Sequence, residues 1–274
     1  MRPRATVVMA TYNWSSVLPF SIASALEQTF TDFELLVIGD GCTDDSERVV
    51  TAIRDPRVRW INIPRFGHQS GPNNEGLRQA RGEFIAYLGH DDLWLPHHLE
   101  VLISALDAGA DVVHSTVAMV GPDGRMMAWT LVPSSLMHRR SMTERIGGWR
   151  DYRELNDMPE VDLMNRARAA GMTFTHVKRL TAIKIAAAWR RDVYRERPSH
   201  EQAAWLARIR SEPDLETTLL VDMASAAQTT PSIPARIVSL LLRPWRWPGA
   251  IWERITARRG RHIRRMLRYK GVND

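Results

Sequence analysis

Short apolar runs alternate with amphipathic stretches through the first half of the chain. Apolar and β-branched residues crowd positions 5–10, 34–38, 58–63 and 83–88. Runs of this length, bounded by polar turn residues, predict strands. Between them, residues 17–28, 44–54, 72–80 and 96–108 carry apolar positions at helical spacing. A β-α-β-α order with short links predicts an α/β fold: a mostly parallel, Rossmann-like sheet with helices on both faces. The strands lack strict alternation, as strands covered on both sides do. A further strand over 110–120, the turn Gly121-Pro122-Asp123-Gly124 and a return strand over 125–131 predict a hairpin.

After Pro133 the pattern changes. A short helix over 141–146 is closed by Gly147-Gly148, and a longer one over 157–170 ends at Gly171. A strand pair over 173–177 and 180–185 follows. From about residue 190 only helical patterns remain, over 201–210, 215–227, 234–242 and 250–269. The expected division is a main domain over 1–190, with halves meeting near residue 120, and a helical C-terminal extension over 191–274.

Composition narrows the class. Of 274 residues, 44% are hydrophobic and 25% charged, which excludes wholesale disorder. The single cysteine, Cys42, excludes an internal disulfide framework and a cysteine-only zinc cluster, and fits a reducing compartment. The opening MRPRATVVMATYN has too short an apolar stretch for a secretory leader and reads as a first strand. No apolar run approaches the ~20 residues of a membrane span. The net charge of +6 is uneven: residues 235–274 hold ten Arg and Lys270 against Glu253 and Asp274, so the rest of the chain is net acidic. A basic segment seeks phosphates or an anionic surface.

In an open parallel sheet, ligands bind beyond the C-terminal strand ends. Those positions hold Thr11-Tyr12-Asn13, then Gly39-Asp40-Gly41, then Gly89-His90-Asp91-Asp92. Each residue alone reads equally well as a turn or cap, and Asp92 as the N-cap of the helix after Pro96. Together the acids suggest a site for a hard cation, Mg²⁺ or Mn²⁺, that takes substrate phosphates as its other ligands. A histidine zinc site is disfavoured, because His97 and His98 are adjacent and point ~100° apart on a helix.

At these residues the sequence resembles a known family. ATYNWSSVLPFSIASALEQTFTDFELLVIGDGCTDDS is similar to the opening of the family 2 inverting glycosyltransferases, which have the A-type nucleotide-sugar fold. GPNNEGLRQARGEFIAYLGHDDLWLPHHLE resembles the stretch with their DxD-like metal motif, and PSSLMHRRSMTERIGGWRDY with MPEVDLMNRARAAG resembles their acceptor half. The resemblance covers roughly residues 5–185. It implies that Thr11, Tyr12, Asn13, Asp40, Asn74 and Asp91 bind the nucleotide, Asp91 near the ribose, and that Asp92, with Asp91, holds the metal. Gly39 stands where the family usually has a first acid, and Asn73-Asn74 where it has Arg-Asn. In MPEVDL, Pro159 replaces the family's Glu and Glu160 takes the place of its catalytic Asp, with Asp162 and Asp157 as the other candidates. A carboxylate there takes the acceptor hydroxyl's proton while a cation stabilises the leaving nucleoside diphosphate. The alternative for Glu160, set second to the base, is the third helical residue of a capping box on Asp157. IKIAAAWRRD lacks the His that many members use near the diphosphate; His176 reads as a strand residue, and Arg190 or Arg191 is the substitute expected.

Trp94, Trp149 and Trp189 fall near the expected cleft, as sugar-stacking faces or as core. The tail mixes Trp245, Trp247 and Trp252 with Arg, and Ile251, Ile255, Ile263, Met266 and Leu267 recur at helical spacing. It reads as a helix lying on an anionic membrane surface or as a charged helix packed on the domain; no nucleic-acid motif accompanies the charge. The sequence thus suggests a cytoplasmic, metal-assisted, inverting sugar transferase with peripheral contact at the inner face of the plasma membrane. Its partners would be a nucleoside-diphosphate sugar and a saccharide or lipid-linked acceptor, in envelope polysaccharide or glycolipid synthesis. The rival readings are a catalytically degenerate nucleotide-sugar-binding protein and a nucleotidyltransferase.

Overall fold

The computed structural model describes residues 2–229 and 261–272. The alternation of the first half becomes β1 (Ala5–Thr11), α1 (Leu18–Leu26), β2 (Phe33–Asp40), α2 (Ser46–Thr51), β3 (Val58–Ile63), α3 (Ser70–Gln79) and β4 (Phe84–Tyr87). These four strands are all parallel, in the order β3-β2-β1-β4. Their side chains divide between two cores. Val7, Met9, Leu35, Val37, Phe84 and Ala86 face one layer, and Val8, Leu36, Ile38, Ile85 and Tyr87 the other. The first layer receives Leu18, Ile22 and Ala25 of α1 at helical spacing, and Leu99, Leu102, Ile103 and Leu106 of α4 (His98–Asp107). The second is covered by α5 (Arg140–Ile146) and α6 (Pro159–Ala169). Helices on both faces explain why the strands read as continuous apolar runs.

The sheet continues through strands that periodicity did not reveal. β5 (Leu93–Trp94) is two residues long, and β8 (Leu136–Arg139) is buried over three of its four, so neither shows a pattern. β8 runs antiparallel to both β4 and β6 (Val112–Val120); β7 (Met126–Trp129) returns from the expected turn onto β6. The expected strand pair over 173–177 and 180–185 is instead one strand, β9 (Phe174–Ile185), parallel to β6. Lys178-Arg179, between the two expected strands, falls where the register slips opposite Ser115–Val117; a bulge absorbs the extra residues without reversing the chain. β5 closes the path by pairing with β9, although it follows β4 by only five residues, so the sheet curls back on itself.

Beyond β9 come α7 (Val193–Glu196), α8 (His200–Ser211), α9 (Leu215–Thr229) and α10 (Arg261–Tyr269). Leu206, Leu215, Leu219 and Met223 cover Leu93, Ile183 and Ile185 in a third cluster. The helix expected over 234–242, most of the one expected over 250–269, and Trp245, Trp247, Trp252, Ile251 and Ile255 lie outside the described residues. The remainder of the tail packs on the domain: Ile263, Leu267 and Val272 are buried against Tyr152. Along 261–269 the buried apolar face is therefore taken by protein contacts, so the surface-helix reading does not hold for this stretch. Among the described residues no helix is long and apolar enough to cross a membrane.

One polar group inside the sheet makes folding pH-sensitive. His138 is fully buried, with Nδ1 2.8 Å from the Arg139 carbonyl and Nε2 3.0 Å from the Tyr87 hydroxyl. The carbonyl can only accept, so Nδ1 carries the proton and Nε2 accepts from Tyr87. Burial pushes its pKa down to about 4, below an unfolded value near 6.5. The unfolded chain therefore takes up a proton that the folded chain refuses between those values. Stability is fully present above about pH 6.5 and falls as pH drops, by about 1.4 kcal/mol per pH unit from this residue. Urea unfolding at pH 7 and pH 5 checks this, and His138→Gln should flatten the dependence by about one proton.

Candidate active site

The parallel strands end at one rim, which opens onto a cavity of about 480 Å³. Thr11 and Tyr12 come from the end of β1, Asp40 from the end of β2, and Asp91 and Asp92 from the link after β4. Glu160 projects from the first turn of α6, Lys184 from β9, and Lys270 from the residue after α10.

Asp92 is the most enclosed of these groups, with no exposed surface. Its Oδ2 accepts from Lys184 Nζ at 2.9 Å and from the Ser134 hydroxyl, and its Oδ1 accepts from the Ile185 amide at 3.2 Å. Ser134 also accepts from the Gly89 amide at 3.0 Å. A side chain at Gly89 would put its Cβ 2.6 Å from Asp92 Oδ2, so only glycine allows this approach. Burial works against the Lys184 ammonium, yet Asp92 and Asp91 together hold its pKa above the ordinary lysine value. Asp92 lines the cavity with its Oδ2 already engaged by an ammonium and a hydroxyl and its Oδ1 by one amide, so it is far less available to a metal than the direct-ligand expectation assumes.

Asp91 is different. The link that carries it is pinned by His90, whose Nδ1 donates to the Ala10 carbonyl at 3.0 Å and whose ring lies against Trp14 and Tyr194. Its backbone carbonyl accepts from Gln202 at 3.3 Å, but its carboxylate meets no hydrogen-bond donor among the described residues and borders the cavity.

Asp40 is buried beneath the loop after β3. It accepts from the amides of Phe66 at 2.6 Å and Gly67 at 2.9 Å and pairs with Arg65, which stacks on the Tyr12 ring at 3.5 Å. Asp40 thus shapes the cavity wall through Arg65 and that loop. The missing acid at Gly39 has a steric cause: a Cβ there would come within 2.6 Å of both Trp60 and Asn62. Asn62 in turn brackets the Cys42 backbone with two 2.9 Å hydrogen bonds.

Glu160 lies at the cavity wall with Oε2 buried and without a hydrogen-bond partner. Burial pushes its carboxyl above the usual range, opposed by its own backbone amide and by Lys184 and Lys270. The capping-box reading fails: Met158 is the N-cap, Pro159 opens the helix, and Asp157 is exposed and makes no cap. Asp162 faces away from the cavity, paired with Arg166 at 2.8 Å and Arg150 at 3.5 Å.

Other candidates hold structure. Asn13, in a left-handed conformation with φ 45°, bonds Thr43 and Asp44 and stays outside the cavity lining. Asn74 grips the Trp149 backbone from both sides at 2.7 and 2.8 Å, while its neighbour Asn73 lines the cavity. Trp94 and Trp149 are core; Trp189 is exposed at the mouth with Trp129 and Val161. Arg190 is spent on the carbonyls of Val120 and Gly121 and on Glu201, and Arg191 on Asp192. His98 stacks on Trp94 and bonds Thr181, and His97 meets Glu216 at 3.3 Å, so these histidines do not meet around an ion. Among the described residues no three His, Cys, Asp or Glu side chains group to hold a metal.

Sequence reasoning missed both lysines. Lys184 was hidden in a strand, and Lys270 in a tail read for its arginines. Lys270 Nζ makes no ion pair with any described residue and sits 5.7 Å from the centre of the Tyr194 ring.

The sequence profile described as Glycosyl transferase family 2 matches residues 6–166. The chain is 37% identical over 126 residues to the succinoglycan biosynthesis protein ExoO of Rhizobium meliloti (strain 1021), covering 46% of this chain and 36% of that one. It is 34% identical over 101 residues to WfgD of Escherichia coli, a UDP-Glc:alpha-D-GlcNAc-diphosphoundecaprenol beta-1,3-glucosyltransferase, covering 37% of this chain and 40% of that one. These matches span well under half the length of either relative. In fold, the chain is similar to S. aureus TarS 1-349 in complex with UDP-GlcNAc, with TM-score 0.59 and 19% identity over 81% of this chain and 71% of that one. It is also similar to the mannosyltransferase PcManGT of Pyrobaculum calidifontis in complex with GDP-Man and Mn²⁺, with TM-score 0.56 and 18% identity over 99% and 86%.

The Asp92–Lys184 pair should be structural. Removing one partner of a buried pair strands the other charge, at about 3–5 kcal/mol. Lys184→Met is expected to destabilise by that order in urea unfolding at pH 8, and by less as pH falls, because burial raises the Asp92 pKa and the stranded carboxyl can take up a proton.

Proposed function

The chain belongs to glycosyl transferase family 2, and we propose that it transfers a sugar from a nucleoside-diphosphate donor to an acceptor hydroxyl with inversion at the anomeric carbon. The observation that carries this reading is the pairing of two differently prepared carboxylates on one cavity. Asp91 borders it with its oxygens unengaged, and Glu160 borders it with a buried, unpartnered oxygen.

The donor set suits a divalent cation, Mg²⁺ or Mn²⁺, held by Asp91 together with the donor's diphosphate and water. A hard ion of this kind is commonly bound by one or two carboxylates and substrate phosphates. When bound, it would neutralise charge on the departing diphosphate. In this reading Asp91, not Asp92, is the ligand, and Asp92 holds the link that presents it. Tyr12, Arg65 and the loop over Asp40 form the nucleoside wall, with Thr11 at its base. Glu160 takes the proton from the acceptor hydroxyl as that oxygen bonds to the anomeric carbon. The bond from that carbon to the diphosphate oxygen breaks, and nucleoside diphosphate leaves. A carboxyl with a raised pKa is a stronger base than an ordinary one, which suits this task.

The acceptor enters past Trp129, Val161 and Trp189, an exposed apolar mouth suited to stacking on a sugar and to a lipid carrier. The relative WfgD is named for a diphosphoundecaprenol-linked acceptor, which supports a saccharide on a lipid carrier. A cytoplasmic position with peripheral membrane contact accords with such an acceptor. The main domain over 1–190 then divides into donor and acceptor halves near residue 120, with 191–274 as an extension that returns to the site through α10.

Three outcomes are expected. UDP or GDP should raise the melting temperature in the presence of Mn²⁺, and Asp91→Asn should abolish the metal-dependent part of the shift. Glu160→Gln should lower kcat by about 10²–10⁴-fold with the fold retained. The reaction should fade as pH falls through the raised pKa of Glu160, because the protonated carboxyl cannot accept a proton; a pH profile of kcat with an acid limb above the usual carboxylate range checks the sign.

A further inference from the structure

We propose that Lys270 binds the donor's diphosphate, so that docking of α10 completes the nucleotide site. The inference rests on the reading of the cavity as a nucleoside-diphosphate-sugar site. The charges of the wall point to it. Arg65 is paired with Asp40 and Lys184 with Asp92. Lys270 lines the same cavity with an ammonium that has no ion pair among the described residues. A diphosphate entering this space meets the carboxylates of Asp91 and Glu160, and Lys270 is placed to offset their repulsion.

The position of that ammonium is built, not incidental. The end of α10 is sewn to the start of α7: the Asp192 amide donates to the Tyr269 carbonyl and the Tyr194 amide to the Lys270 carbonyl, both at 2.8 Å. Gly271 turns the chain with φ +83°, and a Cβ there would lie 3.1 Å from Asp192 Cα, so glycine is required. Ile263, Leu267 and Val272 anchor the segment on Tyr152. Met266, Leu267 and Val272 continue the cavity wall beside Lys270. Burial, with Lys184 nearby, holds the Lys270 pKa below the ordinary lysine value. An ammonium kept there costs free energy that an arriving phosphate oxygen offsets.

Isothermal titration of the full chain with UDP and GDP in the presence of Mn²⁺, and with uridine and guanosine as phosphate-free controls, tests this. Lys270→Gln is expected to weaken diphosphate binding about tenfold to a hundredfold, the range of a charge-assisted hydrogen bond. Nucleoside binding should stay within about twofold, and Lys270→Arg should restore most of the loss. Hydrogen exchange of amides 192–194 and 266–271 should slow on adding the diphosphate to the wild type, and not in Lys270→Gln. Equal diphosphate affinity in Lys270→Gln and wild type overturns the proposal, and so does an equal loss for nucleoside and diphosphate, the mark of a purely structural role. If Lys270→Gln melts early, Lys270→Met, which keeps a long aliphatic side chain without the charge, is the variant to compare. A wild type that binds neither diphosphate brings down the donor reading itself, and this proposal with it.

Discussion

A carboxylate sealed from water demands partners, and the way Asp92 obtains them organises the functional half of the molecule. Its oxygens draw in Ser134 from the turn before β8, and Lys184 and the Ile185 amide from the end of β9. These segments are distant in sequence and meet only because the sheet curls until β5 pairs with β9. The charge and the curl therefore require each other. An open sheet would leave Asp92 without Lys184 and the Ile185 amide, and an apolar residue in its place would leave Lys184 without its ion-pair partner. With Asp92 fixed, its neighbour Asp91 can remain unengaged. Two adjacent acids on one cavity thus differ in their engagement: Asp92 is held by three donors, and the Asp91 carboxylate by none among the described residues.

The parallel half of the fold was legible because burial on both faces leaves a plain mark: short apolar runs separated by helices whose apolar positions recur every three or four residues. The hairpin of β6 and β7 was legible as well, but β5, β8 and the course of β9 were not. β5 is too short to show a period, and β9 contains the Lys-Arg step between the two expected strands, where a bulge carries the strand through. The rim positions of Thr11, Tyr12, Asp40, Asp91 and Glu160 could be read from their places at strand and helix ends. Which of two neighbouring carboxylates stays unengaged could not, since that depends on donors some forty and ninety residues away. Asn74 and Asn13 were misplaced for a related reason: their side chains satisfy backbone groups of other loops, a use that composition does not distinguish from ligand contact.

The departures from the family pattern have local causes. Gly39 stands where an acid is usual because Trp60 and Asn62 fill the space of a side chain. The stretch IKIAAAWRRD has no histidine, and it supplies Lys184 as the partner of Asp92 instead. The arginines next to it cannot stand in, being held by carbonyls and by acids of their own. Positive charge within reach of the cavity is thus rationed, with most of it already neutralised inside the protein.

The stitch between residues 192–194 and 269–270 joins parts of the chain made at different times during synthesis. Synthesis delivers the residues of the sheet, the acidic rim and the helices over it well before those around Lys270. Until those arrive, the cavity lacks a wall. Manufacture of this site is therefore ordered, with the piece that encloses it delivered last and a prematurely terminated product left open.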